Sequence, residues 1–201
     1  MEDFFATLTS WWPPGRPDLH WHLLPAPAPV AAGLTAHYRE LTHRPGLAPV
    51  DPRWCHVTVQ DIAPADEVSP DEVDRIVAQV RRAVAGLAAP ELTLGPPEIG
   101  RLGLGCPVSP AGPARRLWEI TVAASQQVTG ERFPVRPAAY RPHLSLAYGV
   151  ARTSDEPLRD WLATHPARTA AFTAGKLSLV AQSHDASGAI TWRPVADVTL
   201  L

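Results

Sequence analysis

Two short segments in distant parts of the chain share one order of residue types. His56-Val57-Thr58-Val59 and His143-Leu144-Ser145-Leu146 both read histidine, apolar, hydroxyl, apolar. Because residues i and i+2 of a β-strand lie on the same face, each segment directs one imidazole and one hydroxyl to one side of a sheet. Two such strands facing one cleft would supply two histidines and two hydroxyls. That set suits acid–base chemistry on a phosphate.

A histidine two residues before a serine or threonine is by itself a weak signal, since the chain has eight histidines. The added requirement for apolar residues at both alternate positions makes two chance matches a rare event. None of the six remaining histidines begins another histidine, apolar, hydroxyl, apolar segment. The alternative interpretation is a pair of ordinary strands with half-buried histidines that serve packing alone.

The elements around the two histidine segments follow one order: a strand, a short gap, a helix and another strand. Ser69-Pro70-Asp71-Glu72 predicts a helix start, with serine as N-cap, proline at the first position and glutamate at the third. A second long helix is predicted over Pro113 to Thr129. Other predicted features are a strand over Leu19 to Leu24, a helix over Val30 to His43, a hairpin of Lys176 to Gln182 with Ala189 to Val195 that turns at residues 185–188, and an irregular N-terminal segment over residues 1–17.

With these motifs and elements, the chain resembles the 2H phosphoesterases, the superfamily of 2′-5′ RNA ligase-like proteins and RNA 2′,3′-cyclic phosphodiesterases. The likeness extends from Leu19 to Val195 and rests on the two histidine segments, their spacing and the order of elements. It implies an α+β fold: two similar lobes with antiparallel sheets and flanking helices, related by a pseudo-twofold axis around a central cleft. It also implies one bilobal domain over residues 1–201.

The resemblance implies that His56 and His143 face each other, one as general base on water and the other as general acid on the leaving oxygen. Thr58 and Ser145 would bind the phosphate oxygens. The implied activity is metal-independent hydrolysis, or the reverse ligation, of a 2′,3′-cyclic phosphate or a 2′-5′ phosphodiester in RNA or a small nucleotide. No cofactor and no metal is expected. Which histidine is the acid stays open.

The second segment continues as Leu146-Ala147-Tyr148-Gly149, where family members often place a basic residue. Tyr148 could replace that residue through its phenol or by stacking on a base. Arg141, just before the second segment, is a further candidate for the cleft wall.

Two other function classes stay open. A binding module could hold an RNA end or a nucleotide in the same cleft without turnover. A metalloenzyme could use His20, His22 and one motif histidine, because His20-Trp21-His22 has metal-ligand spacing. No carboxylate cluster is visible beside them in the sequence, so ordinary strand histidines are favoured. Cys55 is expected in the core, and His184, in a turn-like context, is expected to be exposed.

The overall composition limits the classes of partner that are expected. A net charge of −2 does not indicate a bulk nucleic-acid or membrane binder, and two cysteines do not indicate a disulfide scaffold. Met1 to Phe5 lacks the basic start of a signal peptide, and no stretch approaches the roughly 20 apolar residues of a membrane span. The expectation is a cytoplasmic monomer that acts on an RNA end or a small nucleotide and has no membrane partner.

Overall fold

The computed structural model describes residues 1–136, 139–185 and 188–201. The strands in these ranges are β1 Asp18–Leu23, β2 Leu47–Pro49, β3 Val57–Pro64, β4 Glu91–Leu94, β5 Glu98–Ile99, β6 Gly103–Ser109, β7 His143–Gly149, β8 Ala170–Thr173, β9 Lys176–His184 and β10 Ile190–Thr199. The α-helices are α1 Phe4–Leu8, α2 Pro27–Val30, α3 Arg39–Thr42, α4 Pro70–Ala83, α5 Ala111–Thr129 and α6 Glu156–Thr164.

The strands of the described residues join into one antiparallel sheet, in the order β10-β9-β1-β3-β7-β6-β4-β8, with β2 on β7 and β5 on β6. The two histidine segments lie at β3 and β7, which are neighbours at the centre of this order. Three further strands lie outward of each central strand. The predicted α+β fold is confirmed, whereas the pseudo-twofold relation of two lobes and the single bilobal domain stay predictions.

The apolar residues of the two histidine segments anchor the central strands in the core. Val57, Val59, Leu144 and Leu146 are all buried, as their alternation with the histidines and hydroxyls predicted. They belong to one apolar cluster with the inner residues of α4 and α5, and α5 packs against β3. Each such side chain contributes roughly 1.5–3 kcal/mol to folding, so the opposite face of β3 and β7 can carry polar groups.

Helix α4 begins as the sequence predicted. The Ser69 hydroxyl accepts a hydrogen bond from the Glu72 backbone N–H, and the Glu72 carboxylate accepts one from the Ser69 backbone N–H. This reciprocal pair satisfies two backbone donors that a helix start leaves open.

We therefore expect Ser69→Ala to destabilise the protein by about 1 kcal/mol, a fall in Tm of about 3 °C. Thermal unfolding followed by circular dichroism measures the change. Ser69→Asp is the matched control, because its carboxylate can accept the same hydrogen bond, and it should retain most of the stability. An unchanged Tm in Ser69→Ala would contradict the capping assignment.

The helix predicted over Val30 to His43 is interrupted. Between α2 and α3 the chain forms a π-helical turn at Ala31–Thr35, with the Ala36 N–H donating to the Ala31 carbonyl. Gly33 lies within this turn against Ala170, where an added Cβ would stand 3.2 Å from the Ala170 Cβ. Glycine weakens an α-helix, and here it permits close packing on β8.

The N-terminal segment, residues 1–17, lies over the polar face of the sheet and contains the short helix α1. Arg16 forms ion pairs with Asp66 and Glu67 at 2.8 and 2.6 Å. The Trp12 carbonyl lies 2.9 Å from His184 Nε2, as in a hydrogen bond donated by the ring. The segment therefore packs on the sheet at defined contacts.

The prediction that His184 is exposed is wrong. Strand β9 extends to His184, and Trp12 packs edge-on against its ring at 4.7 Å, so the side chain is buried. Ala186 and Ser187, in the predicted hairpin turn, lie outside the described residues. Among the helices of the described ranges, none is both long and apolar enough to cross a membrane.

Candidate active site

The pairing of β3 with β7 brings the two histidine segments together. The two strands pair antiparallel through Val57 and Leu144. In an antiparallel ladder this register sets His56 across from Ser145 and Thr58 across from His143, all on the face opposite Val57. Residues far apart in the chain thus form a two-by-two group of imidazoles and hydroxyls.

Both imidazoles are anchored in the same way, each by the backbone carbonyl two residues earlier in the chain. His56 Nδ1 lies 2.8 Å from the Trp54 carbonyl oxygen, and His143 Nδ1 lies 2.9 Å from the Arg141 carbonyl oxygen. Because a carbonyl can only accept, Nδ1 of each ring carries the proton and donates. In both side chains Nε2 is the nitrogen that remains to take or give a proton.

The surroundings of the two histidines differ. His56 is buried, its ring stacks on His22 at a centroid distance of 4.1 Å, and Trp192 packs edge-on against it at 4.9 Å. This burial lowers the pKa of His56 to about 4, so the ring is neutral at pH 7. His143, by contrast, is exposed to solvent.

One cavity of about 390 Å³ is lined by both histidines and both hydroxyl residues. Arg141 and Tyr148, the other residues predicted to bind substrate, line it as well. A second cavity of about 670 Å³ shares His143, Ser145, Arg141 and Tyr148 with the first. The structure therefore places all six sequence-predicted site residues around one cleft, which continues past His143.

Tyr148 is a buried part of the cleft wall. Its ring packs against Phe4 at 4.5 Å and Phe5 at 5.7 Å, and the Ser145 side chain lies near its hydroxyl. Burial raises the pKa of Tyr148 to about 12, which keeps the phenol protonated. Because Phe4 and Phe5 pack against its ring, the hydroxyl is the part of Tyr148 suited to contact a substrate.

Several residues of the cleft were missed by sequence reasoning. Trp11 and Trp12 reach it from the N-terminal segment, and the Arg136 guanidinium stands 4.5 Å from the centre of the Trp11 ring. Trp192, on β10, packs against His56. No local pattern indicates these residues, because each comes from a segment distant from both histidine segments.

The chain matches the family model of the 2′-5′ RNA ligase superfamily over residues 26–186. That match covers most of the sequence and includes both histidine segments. The chain belongs to the 2′-5′ RNA ligase superfamily. The resemblance seen in the two segments is thereby confirmed at the level of the family.

Solved structures share the fold of this superfamily member at low sequence identity. TT0787 of Thermus thermophilus superposes with a TM-score of 0.68 at 19% identity, covering 91% of this chain and 97% of that chain. E. coli LigT complexed with 3′-AMP gives a TM-score of 0.64 at 16% identity, covering 92% and 99%. E. coli LigT complexed with ATP gives 0.63 at 16%, covering 92% and 98%. No curated protein sequence matches the chain.

A second polar group lies on the same sheet face of this superfamily member. Asp18 and His20 on β1 and Asp61 on β3 are buried, with ligand-type atoms all within 4.8 Å of one another. Burial, together with the nearby Asp61 carboxylate, raises the pKa of Asp18 to about 7. The expectation that no carboxylates accompany His20 is therefore wrong, and His22 stacks on His56 instead of joining this group.

The sequence pattern does not predict that Asp61 lies beside His20, and the reason is structural. In a regular strand Thr58 and Asp61 would point to opposite faces, because their spacing is odd. The β1–β3 register shifts between Trp21 and His22, so that Asp61 pairs with His20 and Thr58 with His22. This irregularity adds a residue to β3 and turns Asp61 toward the cleft.

Proposed function

We propose that this protein is a metal-independent phosphoesterase that hydrolyses, or reversibly ligates, a 2′,3′-cyclic phosphate or a 2′-5′ phosphodiester in RNA or a small nucleotide by two-histidine acid–base catalysis. The observation that carries the proposal is the matched anchoring of His56 and His143, each through Nδ1 to a carbonyl two residues earlier, beside one cavity. That arrangement leaves two Nε2 atoms for proton transfer to one substrate.

In the hydrolytic direction, neutral His56 accepts a proton from water through Nε2 while the water oxygen attacks phosphorus. Protonated His143 donates its Nε2 proton to the departing ribose oxygen as the phosphorus–oxygen bond breaks. We assign the base to His56 because burial keeps it neutral, which leaves His143, at the exposed end of the pair, as the acid. In ligation the two roles exchange.

The hydroxyl groups bind the non-bridging oxygens. Thr58 and Ser145 are half-buried beside the histidines opposite to them, so their hydroxyls can donate to the phosphate as negative charge develops. The Tyr148 phenol, near the Ser145 side chain, can donate to a phosphate oxygen as well. Arg141 at the rim supplies a cation that attracts the phosphate and can bind it in a bidentate manner.

The two cavities support a nucleotide or RNA end as the substrate class. A cavity of about 390 Å³ accommodates one nucleotide, and its continuation past His143 offers room for a further one. E. coli LigT, which shares the fold, has been solved with 3′-AMP, NADP+ and ATP. Cytoplasmic location and a monomeric state stay predictions.

The test is turnover of nucleoside 2′,3′-cyclic phosphates and of a short 2′-5′-linked oligonucleotide, with EDTA present and the products separated by chromatography. We expect hydrolysis of at least one of these substrates by the native protein. Binding of a nucleoside monophosphate without turnover of any of them would support the alternative, a module that holds RNA ends or nucleotides. Turnover that EDTA abolishes would contradict metal independence.

Trp11 is the exposed aromatic side chain of the cleft, with 40% of its surface accessible. Since a nucleobase stacks on an exposed indole with roughly 1–3 kcal/mol, we expect Trp11→Ala to raise KM about tenfold and to change kcat little. Trp11→Phe is the matched control and should retain most of the affinity. Steady-state kinetics that show a fall in kcat at unchanged KM would contradict base stacking on Trp11.

A further inference from the structure

We propose that Asp18, His20 and Asp61 form a binding site for one divalent cation of the Zn²⁺ type, distinct from the two catalytic histidines. This proposal goes beyond the proposed function, which uses no metal. It rests on the geometry and burial of the three side chains and on the unpartnered polar atoms that each of them carries among the described residues.

The three side chains are almost fully buried, with accessible fractions of 1%, 6% and 7% for Asp18, His20 and Asp61. Among the described residues, neither oxygen of Asp18 and neither ring nitrogen of His20 has a hydrogen-bond partner, and the same is true of Asp61 Oδ1. Buried polar groups in folded proteins are nearly always paired, because leaving them unpaired is costly. A cation among them would give each of the three side chains a partner.

The spacing of the atoms suits shared coordination. His20 Nε2 and Asp61 Oδ1 are 3.8 Å apart, which is too long for a hydrogen bond. Two ligand atoms that each lie about 2.1 Å from one Zn²⁺ ion can be separated by up to about 4.2 Å. All three side chains offer an atom within 4.8 Å of the others, so small rotations of the carboxylates bring them into range.

Two further side chains, Arg136 and Gln182, lie next to the three proposed ligands. Arg136 Nη1 lies 3.4 Å from Asp61 Oδ2, which orients that carboxylate and leaves Oδ1 toward His20. Gln182 stands opposite Asp18 in the β1–β9 ladder, and within the described ranges its Oε1 has no hydrogen-bond partner. Gln182 is thus a candidate fourth donor, and Arg136 acts on a ligand from outside the coordination shell.

The three side chains can be reached by an ion from the cleft. His20 and Asp61 line the cleft, so an ion has a path to them from solvent, while the Trp12 ring covers His20 at a centroid distance of 5.8 Å. The donor set of one imidazole and carboxylate oxygens favours Zn²⁺ or Mn²⁺ over Mg²⁺ or Ca²⁺.

The test uses the full-length protein after treatment with a chelator and its removal. ZnCl₂, MnCl₂ and MgCl₂ are each titrated by calorimetry, and Tm is measured at each metal concentration. We expect one equivalent of Zn²⁺ to bind and Tm to rise with its concentration, as mass action requires. Asp18→Asn and His20→Gln should each lower the affinity at least about 100-fold while the circular dichroism spectrum is unchanged.

Two controls separate this site from the other histidines. His43→Gln removes an exposed histidine and should bind Zn²⁺ like the native protein. His56→Ala and His143→Ala should also retain binding, although they remove the proposed catalytic groups. Failure of the phosphoesterase proposal would leave this binding intact, so the two proposals fail separately.

Absence of Zn²⁺ binding would overturn the proposal, as would binding that survives both Asp18→Asn and His20→Gln. Loss of binding in His56→Ala or His143→Ala would place the ion at the catalytic pair and overturn it too. Equal affinity for Mg²⁺ would contradict the assignment of His20 as a ligand.

Discussion

His56→Ala and His143→Ala are each expected to lower kcat/KM for the proposed cyclic phosphate or 2′-5′ substrate about 10³-fold. Positioned general acid or base catalysis contributes typically 10²–10⁴-fold, and each variant removes one of the two proton-transfer groups. Because both histidines act in one chemical step, the double variant should be far less affected than the product of the two single effects. Steady-state kinetics in the presence of EDTA measure all three variants.

The two histidines can be told apart by the leaving group. An aryl phosphodiester that releases p-nitrophenolate needs little protonation of the departing oxygen. With this substrate, His143→Ala should regain most of the lost activity, because His143 is the proposed acid. His56→Ala should remain impaired, since attack by water still needs a base.

An exposed histidine provides the control for the kinetic experiment. His165→Ala should retain native activity, because His165 is on the surface and stacks on Trp161. Circular dichroism establishes that each variant folds, and His56→Gln provides a less disruptive replacement at the buried position. Near-native activity in folded His56→Ala and His143→Ala would refute two-histidine catalysis, and rescue of His56→Ala instead of His143→Ala would reverse the roles.

Acid is expected to destabilise the protein through His56. Its pKa is lowered to about 4 in the folded state by burial, whereas an unfolded histidine titrates near pH 6.5. Between these values the unfolded chain binds the proton more readily, so stability falls as pH decreases from about 6.5 to about 4. At pH 4.5 the loss attributable to His56 is roughly 2–3 kcal/mol relative to pH 7.5.

Urea unfolding of the native protein and of His56→Gln at the two pH values measures this contribution. Glutamine can keep a hydrogen bond to the Trp54 carbonyl but does not titrate, so the variant should lose roughly 2–3 kcal/mol less on acidification. Titratable groups that do not contact His56 act equally in both proteins and cancel, whereas His22, which stacks on His56, is coupled to it and contributes to the measured difference. Equal losses in the two proteins would show that His56 charges as easily in the folded state as in the unfolded state.

Much of the fold follows from local sequence patterns. The capping box at Ser69 placed the start of α4, and alternation placed Val57, Val59, Leu144 and Leu146 in the core. These predictions succeed because capping and period-two burial depend on neighbours a few residues apart. The helix predicted over Val30 to His43 is wrong in part, because its form depends on packing of Gly33 against β8.

By itself, the sequence determined the residue types of the candidate site, their pairing into two histidine–hydroxyl segments, and the α+β order of elements. Only the tertiary structure decided the rest: that His56 is buried and His143 exposed, that Trp11 and Trp192 line or flank the cleft, and that Asp61 joins Asp18 and His20. The physical reason is the separation along the chain of the residues that interact. Strand alternation is set locally, whereas desolvation, cross-strand register and an irregularity in β3 depend on which distant segments pack together.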